Sequence, residues 1–397
     1  MSDLPAWLHE TGVQQLLAAT QQAGGEARVV GGAVRDFLRG QEGGDVDIAS
    51  TLLPEQTLEI AAQQKWKAIP TGIAHGTVTL VLPTRVVEVT TLRRDVTTDG
   101  RRATVAFTDD WRADAARRDF TINALSMDAS GRVYDYFDGQ GDITAHRLRF
   151  IGDAATRIAE DGLRILRFFR FLATFGTPPA EDDALAAIAE KAELLAQLSG
   201  ERIANEMRKL LAAHNPAYAL RLMQQTGVAP QVFGRAIAPS AMIRLQLLEG
   251  QAEYQASVWA RALVLLSTPS PTDAQWLAQR WKLSRHEAQQ LALLVALPDF
   301  ANAAPRHAHT RLIRLHGAPA YLDWLLMQAA LTTGVDIAPS VQLAQDFRPP
   351  TFPITAKDLL AQGMKEGKDL GARLAQLEQR WEESDYMLTK EALLNES

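Results

Sequence analysis

The sequence predicts an α+β head, built on a small mixed β-sheet with helices, followed by an all-α remainder. The β-branched runs Thr77–Leu82 and Arg85–Leu92, joined by Pro83 and Thr84, are typical of a β-hairpin. From about Asp153 onward, Leu, Ala, Gln and Glu dominate at helical spacing, and little resembles a strand. At 397 residues the chain is also too long for one core, so about two to four packing units are expected.

Composition excludes several classes of protein before any motif is considered. Hydrophobic residues make up 47% and charged residues 22%, which is usual for a soluble globular protein. The chain has no cysteine, so disulfides and thiolate metal sites are excluded. No apolar run approaches the ~20 residues that span a bilayer, and the N-terminal residues lack an export signal. We therefore expect a cytoplasmic protein without a membrane partner. The net charge of −6 confines any RNA binding to local basic patches.

The head predicts a regular alternation of helices and short strands before the hairpin. An N-terminal helix is expected within residues 1–25, and one more short strand at Val133–Phe137. After the N-terminal helix we expect a strand at Ala27–Val30, a glycine turn at Gly31–Gly32 and a helix at Ala33–Arg39. A second strand is expected at Asp45–Ala49 and a second helix at Pro54–Gln64. The charged segment Arg93–Asp114 predicts a mobile loop.

Three acidic residues of the head are candidates for catalysis. Asp45 and Asp47 flank Val46, and the period of two along a strand places both carboxylates on one face, ~7 Å apart. Such hard oxygen ligands suit Mg²⁺, although a solvated strand end is the simpler explanation of an isolated pair. Glu88 lies in an alternating Val-rich run, where it either faces a cation or points to solvent.

The glycine turn before the acidic pair indicates a phosphate site. Glycine admits close approach of a ligand to the backbone, and free N–H groups at a helix start attract phosphate. Gly32 and Arg35, one turn into the helix, are therefore candidates to contact a triphosphate.

The octapeptide RRDFTINA, which begins at Arg117, is a second candidate motif. Guanidinium groups pair with phosphate, and Asn123 could bond a sugar hydroxyl. A surface ion cluster around Arg117, Arg118 and Asp119 explains the same residues equally well.

Thr156–Thr174 predicts one helix with a charged face that includes Arg157, Glu160, Asp161, Arg164 and Arg167. Asp161 and Arg164, three residues apart, offer one acceptor beside one donor fork. Cytosine and adenine both present an amino donor beside a ring-nitrogen acceptor, whereas uracil and guanine present the reverse order. The pair can therefore accept C and A and oppose U and G without a nucleic-acid template. An ordinary amphipathic helix with salt bridges is the alternative.

The strings GGAVRDFLRGQEGGDVDIA, RRDFTINA and EDGLRILRFFRF resemble the bacterial class II tRNA nucleotidyltransferases, the CCA-adding branch of the poly(A) polymerase family, from about Arg28 to Phe171. The resemblance implies two-metal catalysis at Asp45, Asp47 and Glu88, with Asp45 and Asp47 holding Mg²⁺. It also implies that Arg118 contacts the nucleotide. Further residues are implied to read the base or support the nucleotide: Asp161 and Arg164 in the first role, Arg167 and Arg170 in the second.

The same resemblance implies that C, C and then A are added to the 3′ end of tRNA from CTP and ATP, with release of pyrophosphate. Residues 1–150 would form the nucleotidyltransferase head, 151–230 a helical neck that binds base and RNA, and 231–397 a body and tail that grip the acceptor stem and T arm. The Arg93–Asp114 loop is associated in this family with the switch from CTP to ATP. No obligatory protein partner is implied. A poly(A) polymerase, a CC-only or A-only enzyme, a non-catalytic RNA-binding protein and a small-molecule nucleotidyltransferase remain as alternatives.

Overall fold

The computed structural model describes residues 4–41, 44–99, 102–298, 305–332 and 334–395. The chain divides into two compact units, Met1–Val232 and Phe233–Ser397. The finer division into head, neck and body stays a prediction.

The first unit contains a seven-stranded mixed sheet and a separate two-stranded ribbon. The strands are β1 (Ala27–Val30), β2 (Asp47–Ser50), β3 (Lys67–Gly72), β4 (Thr77–Val81), β5 (Val86–Thr91), β6 (Arg93–Asp99), β7 (Arg102–Phe107), β8 (Ser126–Met127) and β9 (Val133–Tyr134). The sheet order is β3-β4-β5-β2-β1-β8-β9, and β6 pairs with β7. The β2–β5 pair is parallel and the other pairs are antiparallel, so the predicted mixed sheet is confirmed.

Alternation of buried and exposed residues explains the two strands of the predicted hairpin. Val78 and Leu80 of β4 are fully buried, and so, almost completely, are Val87 and Val89 of β5. Their neighbours along each strand lie on the opposite face, as the period of two requires. Because β5 also pairs with β2, this pairing fixes the register of Glu88 relative to β2.

The segment Arg93–Asp114 differs from its prediction as a loop. It forms the antiparallel ribbon β6–β7 and then enters a helix that begins at Trp111. The run Val96–Thr98 is β-branched and favours a strand, but the flanking charges hid that signal. The strand β3 was missed for a different reason: Pro70 lies inside it, and proline argues against a strand.

The helices of the first unit surround the sheet and then continue as a helical bundle. They are α1 (Thr11–Gln22), α2 (Gly32–Leu38), α3 (Pro54–Gln63), α4 (Trp111–Ala116), α5 (Gly139–Thr144), α6 (Ala154–Glu160), α7 (Leu163–Thr174), α8 (Asp182–Lys191), α9 (Gly200–Leu211), α10 (Ala217–Gln225) and α11 (Val228–Phe233), which crosses the boundary between the units. Three buried aromatic rings join the sheet side to α7. The ring centroids of Phe150 and Phe168 stack 5.7 Å apart, and Phe120 lies 4.8 Å from Phe150. This cluster fixes α7 beside the RRDFTINA segment.

The regular elements of the second unit, among its described residues, are all helices. Its helices are α12 (Pro239–Ala252), α13 (Val258–Val264), α14 (Pro271–Arg280), α15 (Arg285–Ala296), α16 (Arg306–Leu331), α17 (Ala338–Asp346), α18 (Ala356–Ala361), α19 (Lys368–Glu383) and α20 (Lys390–Asn395). Gly317 interrupts α16 with a φ of 83°. Among the described residues, no helix has the length and apolar character that crossing a membrane requires.

Candidate active site

The turn between β1 and α2 brings backbone and an arginine side chain into close approach. Gly31 has a φ of 69°, a conformation that favours glycine, and its N–H donates to the carbonyl of Leu125 at 3.0 Å. A Cβ on Gly31 would lie 3.1 Å from Nη1 of Arg118. The positive φ therefore favours glycine at this position, and an added Cβ would crowd the guanidinium of Arg118.

The three candidate acids lie at one end of β2 and its neighbour β5. Asp47 is the first residue of β2, and Glu88 is its partner in the parallel pairing with β5. Asp45 precedes the strand, so the prediction of a strand that begins at Asp45 is corrected by two residues. Burial raises the pKa of Asp47, and the negative charges of Glu88 and Asp45 raise it further, while Arg118 opposes them. Asp47 therefore interacts electrostatically with both other carboxylates.

The three acids are distributed over two neighbouring cavities. Within the described parts of the chain, no group of three His, Cys, Asp or Glu side chains is arranged to hold a metal ion. Asp45 and Asp47 line the larger of two neighbouring cavities, whereas Asp47 and Glu88 line the smaller one, of about 210 Å³. The assignment of all three acids to metal catalysis stays a prediction.

The larger cavity, of about 770 Å³, unites almost all the site residues that the sequence predicts. Every one of them except Glu88 lines it: Gly32, Arg35, Asp45, Asp47, Arg118, Asp161, Arg164, Arg167 and Arg170. Arg39, Arg117 and Lys209 add positive charge to the same wall. A cavity with this excess of cations favours an anionic ligand such as a triphosphate.

The segment Thr156–Thr174 is not one helix, contrary to its prediction. Asp161 has an extended backbone (φ −155°, ψ 106°) that separates α6 from α7. Its Oδ1 accepts the N–H of Leu163 at 3.1 Å, and this local bond favours a helix start over continuation. Its Oδ2 accepts from Nη2 of Arg202 at 2.7 Å. Arg202 therefore holds the carboxylate of Asp161.

Arg164 lies one turn beyond this break and is also held by the protein. Its Nη1 donates to the carbonyl of Arg157 at 2.8 Å and to the carboxylate of Glu160. Its Nη2 donates to the carbonyl of Arg117 at 3.0 Å. Asp161 and Arg164 thus line the same cavity, but neither side chain orients the other. Arg202 orients Asp161, whereas Glu160 and two backbone carbonyls orient Arg164.

A polar network that the sequence did not reveal crosses the floor of the cavity. The Oδ1 atom of Asn123 accepts from Nη1 of Arg35 at 2.6 Å, and its Nδ2 donates to Asp119 at 3.0 Å. Nε of Arg167 donates to the other oxygen of Asp119 at 2.5 Å. Burial opposes the charged form of Asp119, but Arg167 and these hydrogen bonds hold its pKa below the usual value. Asn123 therefore orients an arginine, where the sequence suggested a sugar contact.

Arg170 also lines the cavity. Its Nε lies 3.2 Å from Oε2 of Glu206, which is buried on α9, and its guanidinium lies 4.3 Å from the ring centroid of Phe171. Burial lowers the pKa of Arg170.

The fold and the site together define a nucleotidyltransferase. Residues 27–149 match the family model described as the poly A polymerase head domain, and residues 181–239 match the one described as the probable RNA and SrmB-binding site of polymerase A. The chain is 36% identical to CCA tRNA nucleotidyltransferase 1, mitochondrial, of Danio rerio over 93% of this chain and 86% of the relative. The chain belongs to the family of CCA tRNA nucleotidyltransferases, the CCA-adding enzymes.

Bacterial relatives and a solved structure agree with this family. The CCA-adding enzyme of Geobacillus thermodenitrificans is 36% identical over 80% of this chain and 78% of the relative. The crystal structure of the Bacillus stearothermophilus CCA-adding enzyme in complex with CTP superposes with a TM-score of 0.75, at 30% identity over 94% of this chain and 93% of the other. The similarity therefore covers both units.

Proposed function

We propose that this chain adds C, C and then A to the 3′ end of tRNA, taking the nucleotides from CTP and ATP and releasing pyrophosphate. One observation carries the proposal: a single cavity joins the acidic end of β2 to an arginine wall and to the Asp161–Arg164 pair. The names of the relatives, which specify CCA addition and tRNA, support the same reaction.

Membership of the family implies that a divalent metal is used, and we propose Mg²⁺ held by Asp45 and Asp47. Hard oxygen ligands are what Mg²⁺ prefers. The raised pKa of Asp47 also supports a cation here, because the mutual repulsion of the acids would be relieved by positive charge. When bound, the metal would lower the pKa of the RNA 3′-hydroxyl and stabilise the leaving pyrophosphate.

The arginines of the cavity wall are proposed to hold the triphosphate. In the reaction the 3′ oxygen of the RNA bonds to the α-phosphorus, and the bond from the α-phosphorus to its bridging oxygen breaks. Arg35 and Arg118 flank the Gly31–Gly32 turn, where the backbone is accessible to phosphate. Each guanidinium is fixed by a protein acceptor, so little reorganisation is needed when the charge moves to pyrophosphate.

The Asp161–Arg164 pair is proposed to read the base, because both residues retain hydrogen-bonding capacity beyond their protein contacts. The described contacts of Arg164 use both Nη1 protons and one Nη2 proton, which leaves one Nη2 proton and the Nε proton. Each carboxylate oxygen of Asp161 has accepted one bond and can accept another. A donor pair beside an acceptor matches the edges of cytosine and adenine and opposes those of uracil and guanine. Arg167 and Arg170 complete the wall beside them.

Contact of the second unit with the acceptor stem and T arm of tRNA, and a cytoplasmic location, belong to the same proposal. The cationic segment that ends α14 and begins α15, with Arg280, Lys282 and Arg285, supports phosphate contact.

Extension of a tRNA that lacks its 3′ CCA tests the proposal. The tRNA is incubated with each nucleoside triphosphate alone and with CTP plus ATP, and the products are sequenced. CTP alone should give CC, the mixture should give CCA, and ATP alone should give no extension of this tRNA. Continued extension with ATP alone would identify a poly(A) polymerase, and a stop after CC in the mixture would identify a CC-only enzyme. An enzyme that extends only a tRNA already ending in CC would be A-only.

A further inference from the structure

A buried carboxylate outside the predicted site accepts hydrogen bonds from three donors in two parts of the chain. Asp114, in α4, is only 3% exposed. It accepts from Nε of Arg117 at 2.8 Å and from Nη2 of Arg118 at 3.4 Å. It also accepts the backbone N–H of Arg93 at 3.2 Å. A buried carboxylate requires such partners, so the charge of Asp114 and those of the two arginines depend on each other.

The three donors belong to two functional regions. Arg93 is the first residue of β6, so its N–H marks the base of the β6–β7 ribbon. Arg117 and Arg118 both line the large cavity and the smaller one beside Glu88. The carbonyl of Arg117 in turn accepts from Arg164 of the base-reading pair. Asp114 therefore contacts the base of the ribbon through Arg93 and the cavity through Arg117 and Arg118. Through Arg117 it is also linked to Arg164.

The helix that carries Asp114 is anchored at its other end. The indole N–H of Trp111 donates to Oε2 of Glu26 at 3.0 Å, and the guanidinium of Arg28 lies 4.0 Å from the centroid of the Trp111 ring. Arg28 is itself buried and lies 3.5 Å from the ring centroid of Tyr134. These contacts fix α4 against the sheet, so the carboxylate of Asp114 has a defined direction.

We propose that Asp114 is a positioning residue for nucleotide binding: it orients Arg117 and Arg118 toward the cavity and ties them to the base of the β6–β7 ribbon. The inference rests on the proposed function, because it assigns these arginines to the nucleotide. Without the carboxylate, the two neighbouring guanidinium groups repel each other and sample more orientations. Binding of a triphosphate must then restrict these orientations, and the entropy that the guanidinium groups lose weakens the binding.

Replacement of the carboxylate by an amide separates positioning from support of the fold. Asp114→Asn keeps the size of the side chain and an acceptor for the Arg93 N–H but removes the negative charge. The matched control is Asp110→Ala at the N-terminal cap of the same helix. The carboxylate of Asp110 accepts the N–H groups of Arg112 and Ala113 as the N-terminal cap and contacts neither arginine. Both variants are expected to lower the melting temperature.

Only Asp114→Asn should weaken nucleotide binding. We expect the Kd of CTP, measured by calorimetry without RNA, to rise about tenfold, and the KM of CTP to rise with it while kcat changes less than about threefold. Asp110→Ala should leave Kd and KM unchanged. If Asp114→Asn does not fold, Asp114→Glu can be used, because it keeps the charge and displaces it by one methylene. Its rise in Kd should be smaller than the about tenfold rise expected for Asp114→Asn.

An Asp114→Asn variant that melts at a lower temperature but binds CTP like the unmodified chain would overturn the inference. That result is distinct from failure of the proposed function, which is scored by the unmodified chain alone: it either extends a tRNA lacking CCA or does not. Normal extension together with unchanged Kd in Asp114→Asn would leave the reaction standing and remove Asp114 from it.

Discussion

The acidic end of β2 and the α6–α7 junction face the same cavity but are held in place by different forces. Asp47 and Glu88 are aligned by the backbone ladder between β2 and β5. Asp161 and Arg164 are aligned by contacts of their own side chains: ion pairs with Arg202 and Glu160, and hydrogen bonds from Arg164 to two backbone carbonyls. The residues proposed for chemistry thus depend on strand register, and those proposed for base choice depend on ion pairs. Substitutions around the two regions should therefore have different consequences.

The largest effect is expected when a carboxylate of the acidic end is neutralised. Asp47→Asn leaves the strand pairing intact but removes a proposed metal ligand. Loss of several kcal/mol of transition-state stabilisation corresponds to a fall in kcat of about 10³-fold for both CMP and AMP incorporation. Single-turnover extension and a tRNA-binding assay measure the two properties separately, and tRNA affinity should remain. Glu59→Gln, an exposed acid on α3, is the control. Near-normal turnover of Asp47→Asn would refute the metal assignment.

A change at the junction should affect the choice of nucleotide more than the rate. Asp161→Ala removes the acceptor proposed to meet the amino group of cytosine or adenine. Discrimination against UTP and GTP, measured as the ratio of kcat/KM values, should fall about 10- to 100-fold, the scale of one or two unpaired polar groups. Glu201→Gln, exposed on α9 beside Arg202, controls for a change of charge. Unchanged selectivity with an intact fold would make this junction structural only.

The sequence predicted the acidic end better than the junction because its determinants are local. The Asp45–Asp47 spacing, the alternation around Glu88 and the Pro83–Thr84 turn all lie within a few residues of the feature they predict. The break at Asp161 depends partly on Arg202, which is distant in sequence. Gly162 is also packed against Leu194, where an added Cβ would lie 3.0 Å away. The roles of Asp114 and Asn123 likewise follow from partners that only the fold brings together.

The Asp119–Arg167 pair tests whether ion pairs also stabilise the junction side of the cavity. Asp119→Asn keeps an oxygen for the N–H of Phe120 but no longer neutralises Arg167, and we expect a loss of about 2 kcal/mol in the free energy of unfolding at pH 7. The pKa of Asp119 is lowered in the folded state, so its contribution is present above the unfolded value, 3.8, and is lost as the pH falls through the lower folded value.

Urea unfolding of both proteins across this pH range measures the effect. The difference in stability between them should be constant at neutral and mildly acidic pH and shrink only below about 3.8. A difference that is absent at pH 7, or that grows as the pH falls, would contradict the role of the ion pair.

The smallest effect on catalysis is expected from a change directly beneath the acids. Ile48 follows Asp47 in β2, is fully buried, and pairs with Val89 in the parallel ladder. Ile48→Val removes one methylene and should cost about 1 kcal/mol in the free energy of unfolding. Because valine retains the backbone hydrogen bonds and favours a strand, the register of Asp47 and Glu88 should persist, and kcat should remain within about twofold of its original value. Chemical unfolding and single-turnover extension measure the two quantities on the same preparation. A large fall in kcat at this small loss of stability would mean that core packing, rather than strand register, aligns the acids, and the contrast between the two regions would fail.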